Sequence, residues 1–392
     1  MRIVHVCNTD GALSVFRGPL IKALSKAGHE VYTISARSDY FDELRKLGAH
    51  PIELPMDRHG VGLFSNLKLF IGLYKCVKGL APDIVHNFTH KPAIFGTLAA
   101  KLAGVKTIVI TVTGLGTVFV NDGAKNKFVR AILLLHYAVV TRLAITTFFQ
   151  NPDDQRLFES AGVTPPNKSV LTNGSGIDLT ETILPTGACL ERAREELSAE
   201  LGTPLEDKRI VIFPARGVKE KGFFEYYQAA KRIHQRYPSS YVFLHVGLID
   251  SSLSNSISGR DLGVHALDCG VTYLGFRRDI MNIVAASDIV CLPSYREGTP
   301  RSLIEALALG KVIVTTDAPG CRETVIPGEN GYWCSPRDVS GLVDALLRVD
   351  DTMIDRSKTI SRTLCEKKYD VDHLIELTEK AYFGADRHSE EQ

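Results

Sequence analysis

The hydrophobic positions of this chain alternate between two patterns. Short runs of consecutive apolar residues, which indicate strands buried on both faces, are each followed by a segment with helical spacing. In the first 180 residues the strand-like runs are RIVHVCN, HEVYTISA and segments 51–54, 83–86, 107–112 and 145–149. This alternation predicts βαβ units on a parallel sheet, and therefore a doubly wound domain over residues 1–178.

A stretch rich in Pro, Gly, Asn and Ser, SAGVTPPNKSVLTNGSGIDL, interrupts the alternation and predicts a hinge at residues 174–186. The pattern resumes with RIVIFPA, YVFLHVG, VTYLG, DIVCLPS and KVIVTT. We therefore predict an α/β protein with two Rossmann-like domains, the second over 187–365, facing across a cleft. Residues 366–392 are predicted to form a helix, placed to cross back to the first domain, and a polar tail.

Charge and cysteine content narrow the function classes. With 46 Lys+Arg against 45 Asp+Glu, the formal net charge of +1 is too small for sequence-independent binding of nucleic acid. Residues 1–180, however, contain 20 Lys+Arg against 13 Asp+Glu. The eight cysteines include no Cys-x-x-Cys pair, and no secretion signal precedes the first strand. These features favour reduced core thiols in a cytoplasmic protein.

Two apolar segments of the basic half could contact lipid. Residues 128–149 contain Arg130, His136 and Arg142, which argue against a membrane span. Leu134, Val139 and Leu143 share a stripe for which core packing is the favoured interpretation and contact with anionic lipid the alternative. A helix at 65–79 places three lysines on one face, either as ordinary solvated residues or as a membrane-binding face: Lys68, Lys75 and Lys78.

The turn after the first strand lacks the usual nucleotide-binding fingerprints. CNTDGALSVFRG has Gly11 and Gly18 without Gly-x-Gly-x-x-Gly spacing, and the chain has no Walker lysine motif. A dehydrogenase or P-loop kinase is therefore poorly supported. Gly11 is still a candidate for close approach of the backbone to a ligand.

The segment SYREGTPRSLIEALALG carries candidate chemistry at the end of the strand DIVCLP. Thr299 and Pro300 are predicted to be the N-cap and first residue of a helix, which directs the amides of Arg301, Ser302 and Leu303 toward an anion such as a diphosphate. Glu297 and Glu305 would flank this position and accept hydrogen bonds from sugar hydroxyls. Alone, the segment is equally compatible with an ordinary capped helix and solvated acids.

A second segment, FPARGVKEKGFF, favours the anion-binding interpretation over that of an ordinary capped helix. Arg216 and Lys221 lie on the turn after the first strand of the second domain, at the same edge of the predicted sheet. Two cations facing a helix N-terminus can bind a pyrophosphate leaving group as its negative charge grows. The alternative for this segment is a solvated basic loop.

The two segments together resemble the family 4 retaining glycosyltransferases of the GT-B fold. The matching signatures are Arg-x4-Lys-Gly at 216–222 and Glu-Gly-x-Pro-x5-Glu-Ala at 297–306, with further matches in YLGFRRDI, NGSGID and GCRETV. VFRGPLIKAL, THKPAIFG and VTGLGTVFVNDG are most like the subgroup acting on undecaprenyl-pyrophosphate sugars, particularly its N-acetylgalactosaminyltransferases. The resemblance implies that Arg216 and Lys221 bind the donor diphosphate, Glu297 meets the transferred sugar and Glu305 holds the ribose.

The same matches imply further contacts. Arg277, from YLGFRRDI, is added to the donor contacts, while the acceptor or sugar contacts are Arg17, His90, Lys91, Thr113 and Gly114. The chain departs from the family pattern after the fifth strand, where many members have a histidine and this chain has Thr113-Gly114. His90 is the nearest imidazole, and we assign it to sugar contact and not to proton transfer.

The expected reaction is retaining transfer of a sugar, such as a HexNAc from a UDP-linked donor, to a polyprenyl-pyrophosphate-linked saccharide at the cytoplasmic face of the inner membrane. No cofactor or metal ion is expected, because Arg216, Lys221 and the helix terminus can neutralise the phosphates. Asp370 and Asp372 are interpreted as capping residues of the last helix. Alternatives are transfer to a soluble acceptor, a nucleotide-sugar 2-epimerase and a non-catalytic binding module.

Overall fold

The computed structural model describes residues 1–56, 62–120, 123–250 and 255–384. Internal contacts divide the chain into two units. The first consists of Met1–Asp178 together with the chain from Val371 onward, and the second is Leu179–Asp370. Each unit is built on its own parallel sheet.

In the first unit, seven described strands are ordered β3-β2-β1-β4-β5-β6-β7. The strands are β1 (Arg2–Thr9), β2 (Glu30–Ala36), β3 (Ala49–Glu53), β4 (Ile84–Phe88), β5 (Thr107–Val112), β6 (Thr146–Phe149) and β7 (Ser169–Leu171). The helices between them are α1 (Asp10–Lys26), α2 (Phe41–Lys46), α3 (Leu63–Leu80), α4 (Thr97–Leu102), α5 (Ala124–Leu143) and α6 (Pro152–Ser160).

In the second unit, six described strands are ordered β10-β9-β8-β11-β12-β13. The strands are β8 (Arg209–Pro214), β9 (Tyr241–Val246), β10 (Val271–Tyr273), β11 (Ile289–Leu292), β12 (Val312–Thr316) and β13 (Gly331–Cys334). The helices are α7 (Ala188–Leu201), α8 (Phe223–Arg236), α9 (Gly259–Cys269), α10 (Ile280–Ala286), α11 (Arg301–Ala308), α12 (Val339–Leu347) and α13 (Asp351–Lys368). The predicted α/β class with two doubly wound sheets is therefore confirmed.

The last described helix, α14 (Val371–Phe383), belongs to the first unit. The Val371 amide donates to the Ile177 carbonyl (3.0 Å). At the other end, the buried Tyr382 hydroxyl forms hydrogen bonds with His5 Nε2 (2.9 Å) and His86 Nδ1 (2.6 Å) in the core of the first sheet. The helix begins at Val371, which lies between Asp370 and Asp372. The predicted polar tail after residue 384 lies outside the described residues.

The chain passes from the first unit to the second between Asp178 and Leu179, inside the hinge predicted at 174–186, and residues 179–186 pack within the second unit. Arg362 Nη1 donates to the Thr182 carbonyl at 2.8 Å and Nη2 to the Leu179 carbonyl at 3.4 Å. Leu184 packs closely on Gly310. An arginine of α13 thus holds the backbone of this connecting segment. The second unit also runs to Asp370, past the predicted end at 365.

All eight cysteines are free and six of them are buried, in agreement with the expectation of reduced core thiols. Cys76 is half-buried and Cys189 is exposed, so these two thiols are exceptions. Among the described residues, no helix combines the length and apolar character needed to span a membrane.

The favoured core interpretation of the α5 stripe is confirmed for Leu134, which packs against a buried cluster, and is wrong for Val139. Val139 is exposed, and the residues that α5 buries are Tyr137, Val140 and Thr141. The Tyr137 hydroxyl is hydrogen-bonded to His90 Nδ1 (2.8 Å), which allows a polar atom to enter the core. The buried face of α5 therefore includes Leu134 but not Val139.

Candidate active site

The candidate site of the second unit lies where its strand order changes direction. β8 pairs with β9 on one side and with β11 on the other, so the chain leaves β8 and β11 in opposite directions. The loops after these two neighbouring strands carry Lys221 and Glu297. In open α/β sheets this switch point at the carboxyl ends is the usual ligand position.

Backbone contacts hold the two loops together. The Glu220 carbonyl accepts hydrogen bonds from the Tyr295 amide (2.9 Å) and the Ser294 hydroxyl (3.0 Å). Gly222 has φ +81°, and a Cβ at this position would lie 2.1 Å from the Pro293 carbonyl oxygen. Only glycine can occupy this position without displacing the backbone, which explains the glycine after Lys221.

Lys221 and Glu297 form the central ion pair of the site. Lys221 Nζ lies 2.5 Å from Glu297 Oε1, and both side chains are partly buried. The buried Ser294 also donates its hydroxyl to Glu297 Oε1 (2.6 Å). Ser294 has contacts with both Glu297 and the Glu220 carbonyl, so it fixes the carboxylate relative to the turn that carries Lys221.

A third loop, after β12, contacts the backbone of the segment that carries Glu297. The Glu297 amide donates to the Pro319 carbonyl (3.0 Å), and a Cβ at Gly320 (φ +81°) would lie 2.4 Å from the Gly298 carbonyl oxygen. The buried Cys321 thiol has its pKa raised, first by burial and then by the charge of Glu297. Cys321 is therefore a neutral packing residue.

Helix α11 begins one residue later than predicted. Pro300, with φ −70° and ψ 124°, is the N-cap, and the Thr299 hydroxyl donates to the Gly298 carbonyl (2.9 Å). The Leu303 amide, expected to be available to an anion, donates to the Pro300 carbonyl (3.0 Å). The dipole of the helix is unchanged by this shift, so the positive end of α11 lies at Arg301 and Ser302.

Glu305 lies on the second turn of α11 and is paired with Arg301. Arg301 Nε donates to Glu305 Oε1 (3.0 Å), and both side chains are mostly covered. Burial raises the pKa of Glu305, and the Arg301 guanidinium acts against this shift. A carboxylate in this environment favours hydrogen-bond donors, such as hydroxyl groups, over bulk water.

The two remaining predicted cations of the second unit differ in environment. Arg216 follows β8 and is exposed. Arg277 follows the edge strand β10, two strands away from β8, and forms ion pairs with Asp279 (Nη2 to Oδ2, 2.7 Å) and with Glu200. These two carboxylates raise the pKa of Arg277 and hold it against the end of α7. Arg277 is thus held in ion pairs after the edge strand, whereas Lys221 pairs with Glu297 at the strand-order switch.

In the first unit, the turn predicted around Gly11 is the first turn of α1. The Thr9 hydroxyl accepts from the Ala12 amide (3.4 Å), and the buried Asp10 carboxylate accepts from the Gly11 amide (2.7 Å) and the Ser38 amide (2.6 Å). The Tyr40 ring covers Gly11, 3.1 Å from the position of a Cβ. The Gly11 amide is thus used by its own helix.

Three of the predicted acceptor contacts meet at the carboxyl ends of β1, β4 and β5. The buried Arg17 guanidinium lies 4.7 Å from the centre of the Phe88 ring. Gln150, with its amide oriented to satisfy both neighbours, accepts from Arg17 Nη2 (3.3 Å) and donates to the Thr113 carbonyl (3.2 Å). Gly114 follows with φ +114°, a backbone conformation that glycine alone adopts readily.

His90 and Lys91 begin the turn after β4 and are half-buried. Burial lowers the pKa of His90 to about 4, so its imidazole is neutral near pH 7. Thr89, immediately before them, has φ +69°, and its buried hydroxyl has no hydrogen-bond partner among the described residues. A strained non-glycine residue with an orphaned hydroxyl is a feature of ligand-binding positions.

Sequence reasoning missed Ser294, Gln150 and Thr89. Ser294 and Thr89 both lie in segments that were singled out, but a serine or threonine after a strand is too common to be informative alone. Gln150 directly follows β6. Its predicted position at the same sheet edge as Thr113 could have identified it as a candidate.

Two family descriptions match the chain. Residues 3–147 match the family described as "Glycosyl transferase 4-like", and residues 194–363 match "Glycosyl transferases group 1". Each range lies within one of the two structural units.

Two curated proteins are similar over most of the chain. One is the N,N'-diacetylbacillosaminyl-diphospho-undecaprenol alpha-1,3-N-acetylgalactosaminyltransferase of Campylobacter jejuni, with 30% identity over 97% of this chain and 98% of that protein. The other is the UDP-Gal:alpha-D-GlcNAc-diphosphoundecaprenol alpha-1,3-galactosyltransferase of Escherichia coli, with 29% identity over 81% of this chain and 78% of that protein.

Solved structures share the fold at lower identity. The Anabaena protein HepE, in complex with UDP and glucose, has a TM-score of 0.76 and 18% identity over 97% of this chain and 98% of HepE. A glycosyltransferase from Rickettsia africae has a TM-score of 0.75 and 19% identity, with 97% of each chain covered.

Proposed function

Because this chain belongs to the family 4 glycosyltransferases of the GT-B fold, we propose that it transfers a HexNAc from a UDP-linked donor to a saccharide on polyprenyl pyrophosphate, with retention of configuration. The observation that carries the proposal is the Lys221–Glu297 pair at the strand-order switch, beside the positive end of α11. Both relatives described above are named as acting on undecaprenol-linked diphosphate saccharides, which supports the acceptor class.

In this proposal the second unit binds the donor. Lys221, Arg216 and the N-terminus of α11 neutralise the diphosphate, Glu297 accepts hydrogen bonds from the sugar, and Glu305 holds the ribose. Ser294 keeps Glu297 in place while the ion pair with Lys221 rearranges around the bound phosphate. The residues at the sheet edge of the first unit, including His90 and Thr113, contact the acceptor or the transferred sugar.

The chemical step breaks the bond between the anomeric carbon and the diphosphate oxygen. The acceptor hydroxyl forms the new bond on the same face of the sugar, and its proton passes to the departing diphosphate oxygen. Negative charge grows on that oxygen, so fixed cations nearby lower the barrier. The neutral His90 is compatible with hydrogen bonding to hydroxyl groups and requires no proton transfer in this step.

We further propose that the enzyme needs no metal ion, because Arg216, Lys221 and the end of α11 supply the positive charge. Turnover should therefore be equal in buffer with EDTA and in buffer with Mg²⁺ or Mn²⁺. Loss of turnover in EDTA that either metal restores would contradict this part of the proposal.

The main experiment incubates purified protein with a synthetic polyprenyl-pyrophosphate saccharide and, separately, UDP-GalNAc, UDP-GlcNAc, UDP-Gal and UDP-Glc. Mass spectrometry of the lipid product should show addition of one HexNAc, and NMR should show the same anomeric configuration as in the donor. Addition of a hexose would show that the donor is a UDP-hexose and not a UDP-HexNAc. An inverted product would refute the retaining mechanism.

A second measurement separates the remaining alternatives. Donor alone should give no new epimer, whereas an epimerase would form one without acceptor. Transfer to a free saccharide as fast as to the lipid-linked one would favour a soluble acceptor. A binding module would be favoured if Glu297→Ala and Lys221→Ala left the lipid-linked glycans of the cell unchanged.

The proposed place of the reaction is the cytoplasmic face of the inner membrane. Fractionation of native cells should find the protein with the inner membrane and release it with high salt, as expected for peripheral attachment. Recovery in the soluble fraction at physiological salt would contradict this placement.

A further inference from the structure

Helix α5 presents an apolar stripe outward. Phe128, Ile132, Leu135 and Val139 recur at spacings of four, three and four residues, so they lie on one face of the helix. All four are exposed, Phe128 by 68% and Leu135 by 67%. The side of α5 that packs on the sheet is instead formed by Tyr137, Val140 and Thr141.

Helix α3 presents a related outward face. Phe64, Leu67 and Ile71 are exposed, with Phe64 at 88%, while Leu69 and Leu73 are buried against the sheet. α3 and α5 both pack against the intervening segment Pro92–Leu102, so the three helical segments cover one face of the sheet side by side. Their exposed apolar residues therefore belong to one surface, here called the α3–α5 surface.

The helices that form the α3–α5 surface carry charge of one sign within their described bounds. The helices α3, α4 and α5 and the turn Pro92–Gly96 contain no Asp or Glu. Their basic residues are Lys68, Lys75, Lys78, Lys101, Lys125, Lys127, Arg130 and Arg142. The three lysines of α3 are exposed on the same face as Phe64 and Ile71, and Lys125 and Lys127 flank the start of the α5 stripe.

We propose that the α3–α5 surface docks on an anionic lipid bilayer, with the α5 stripe inserted among the acyl chains and the lysines contacting the head groups. This inference rests on the proposed function, because it gives the enzyme its position relative to a lipid-linked acceptor. Apolar residues bordered by lysines without acids are typical of helices that lie in the membrane interface. A second copy of the chain fits poorly, because two such surfaces would repel each other.

The first test is flotation with vesicles of phosphatidylethanolamine and phosphatidylglycerol (3:1) at 150 mM salt, compared with phosphatidylcholine alone. Wild type should float with the anionic vesicles only. Phe128→Gln/Leu135→Gln should weaken partitioning at least tenfold for each side chain removed from the bilayer. The matched control, Val264→Gln/Leu267→Gln on α9, removes side chains that are 61% and 89% exposed and should float like wild type.

The lysines are tested separately. Lys125→Gln/Lys127→Gln should weaken partitioning about thirtyfold, since each lysine near an anionic surface contributes about fivefold. Equal flotation of wild type and both double variants would overturn the proposal. So would loss of flotation in the α9 control.

Insertion is tested with a tryptophan reporter. The chain has one tryptophan, Trp333, in the second unit. In a Trp333→Phe background, Phe128→Trp should be quenched by brominated lipid when vesicles are present. Binding without quenching would show electrostatic adsorption only and contradict insertion of the stripe. A dimer in light scattering that Phe128→Gln/Leu135→Gln abolishes would identify the surface as an interface between copies and overturn the proposal.

Activity on a short, soluble acceptor analogue distinguishes failure of this inference from failure of the proposed function. Both double variants should retain wild-type turnover on the analogue, because their side chains lie outside the candidate site. Flotation with no transferase activity in any form of the protein would refute the function and leave docking supported. Full activity on the lipid-linked acceptor without any flotation would refute docking and leave the function supported.

Discussion

Replacement of Lys221 by methionine tests the centre of the candidate site. Methionine keeps much of the side-chain volume and removes the charge. Lys221 Nζ lies 2.5 Å from Glu297 Oε1, and the Ser294 hydroxyl donates to the same carboxylate oxygen at 2.6 Å. The substitution therefore removes the cationic partner of a partly buried carboxylate and leaves the Ser294 hydrogen bond in place.

Two effects of different size follow. The free energy of unfolding should fall by about 1–2 kcal/mol, toward the lower end for a hydrogen bond to a charged group because both side chains retain contact with water. Turnover should fall by about 10² to 10³, the usual cost of removing one positioned group that stabilises transition-state charge. The catalytic effect therefore exceeds the loss of stability.

The assay measures transfer at saturating donor, together with donor affinity by calorimetry and unfolding in urea. Lys219→Met is the matched control, since this exposed lysine lies on the same turn and should show near wild-type turnover and stability. In the double variant Lys221→Met/Glu297→Gln, the free energy of unfolding should fall by less than the sum of the losses in the two single variants. A change in turnover below about threefold in Lys221→Met would remove this residue from the active site.

Three further outcomes are expected. Glu305→Gln should weaken donor affinity more than it lowers turnover, because a ribose contact is similar in the ground and transition states; an unchanged donor dissociation constant would contradict the assignment. Ser294→Ala should lower turnover about tenfold with little change in donor affinity, through loss of one hydrogen bond that orients the Glu297 carboxylate; wild-type turnover would show that Ser294 does not position it. Burial lowers the pKa of His5 to about 3 and that of His245 to about 4, so the unfolded state binds more protons below about pH 6.5. Stability in urea should therefore fall as the pH is lowered from 6.5 to about 4, by roughly 1 kcal/mol per pH unit for each histidine, and a flat profile would mean that these imidazoles are solvated.

The architecture was predictable because parallel strands leave a strong signal. β1, β5 and β12 are buried along most of their length and read as continuous apolar runs. The strands that escaped prediction, β7 and β13, have three and four residues and include polar or glycine positions. Such short edge strands are defined by their neighbours and not by their own pattern.

The sequence could nominate residues of the candidate site but could not give their contacts. The spacing between Arg216 and Lys221, and that between Glu297 and Glu305, are local features that survive in the sequence. The ion pair between Lys221 and Glu297 depends on β8 and β11 being neighbours, which is a property of strand order. Predictions from one sequence can therefore name both partners and still miss their contact.

The start of α1 shows how little chain is needed to pass from a strand to a helix. Gly11 was interpreted as a turn residue, but Thr9 and Asp10 together satisfy the first amides and allow the helix to begin directly after β1. The orientation of α5 shows a related limit. Its apolar residues surround most of the helix, so periodicity alone cannot tell which face packs on the sheet.

The return of α14 to the first sheet determines the order in which the two units can be completed during synthesis. The second unit is continuous from Leu179 to Asp370, so all of its strands have left the ribosome before α14 has been made. Until Tyr382 arrives, the imidazoles of His5 and His86 lack the hydroxyl that they share in the core, and a buried polar atom without its partner is costly. The contact between His5 and Tyr382 joins residues 377 positions apart, which makes it among the most distant in the chain. The unit that is translated first is therefore the unit that is finished last.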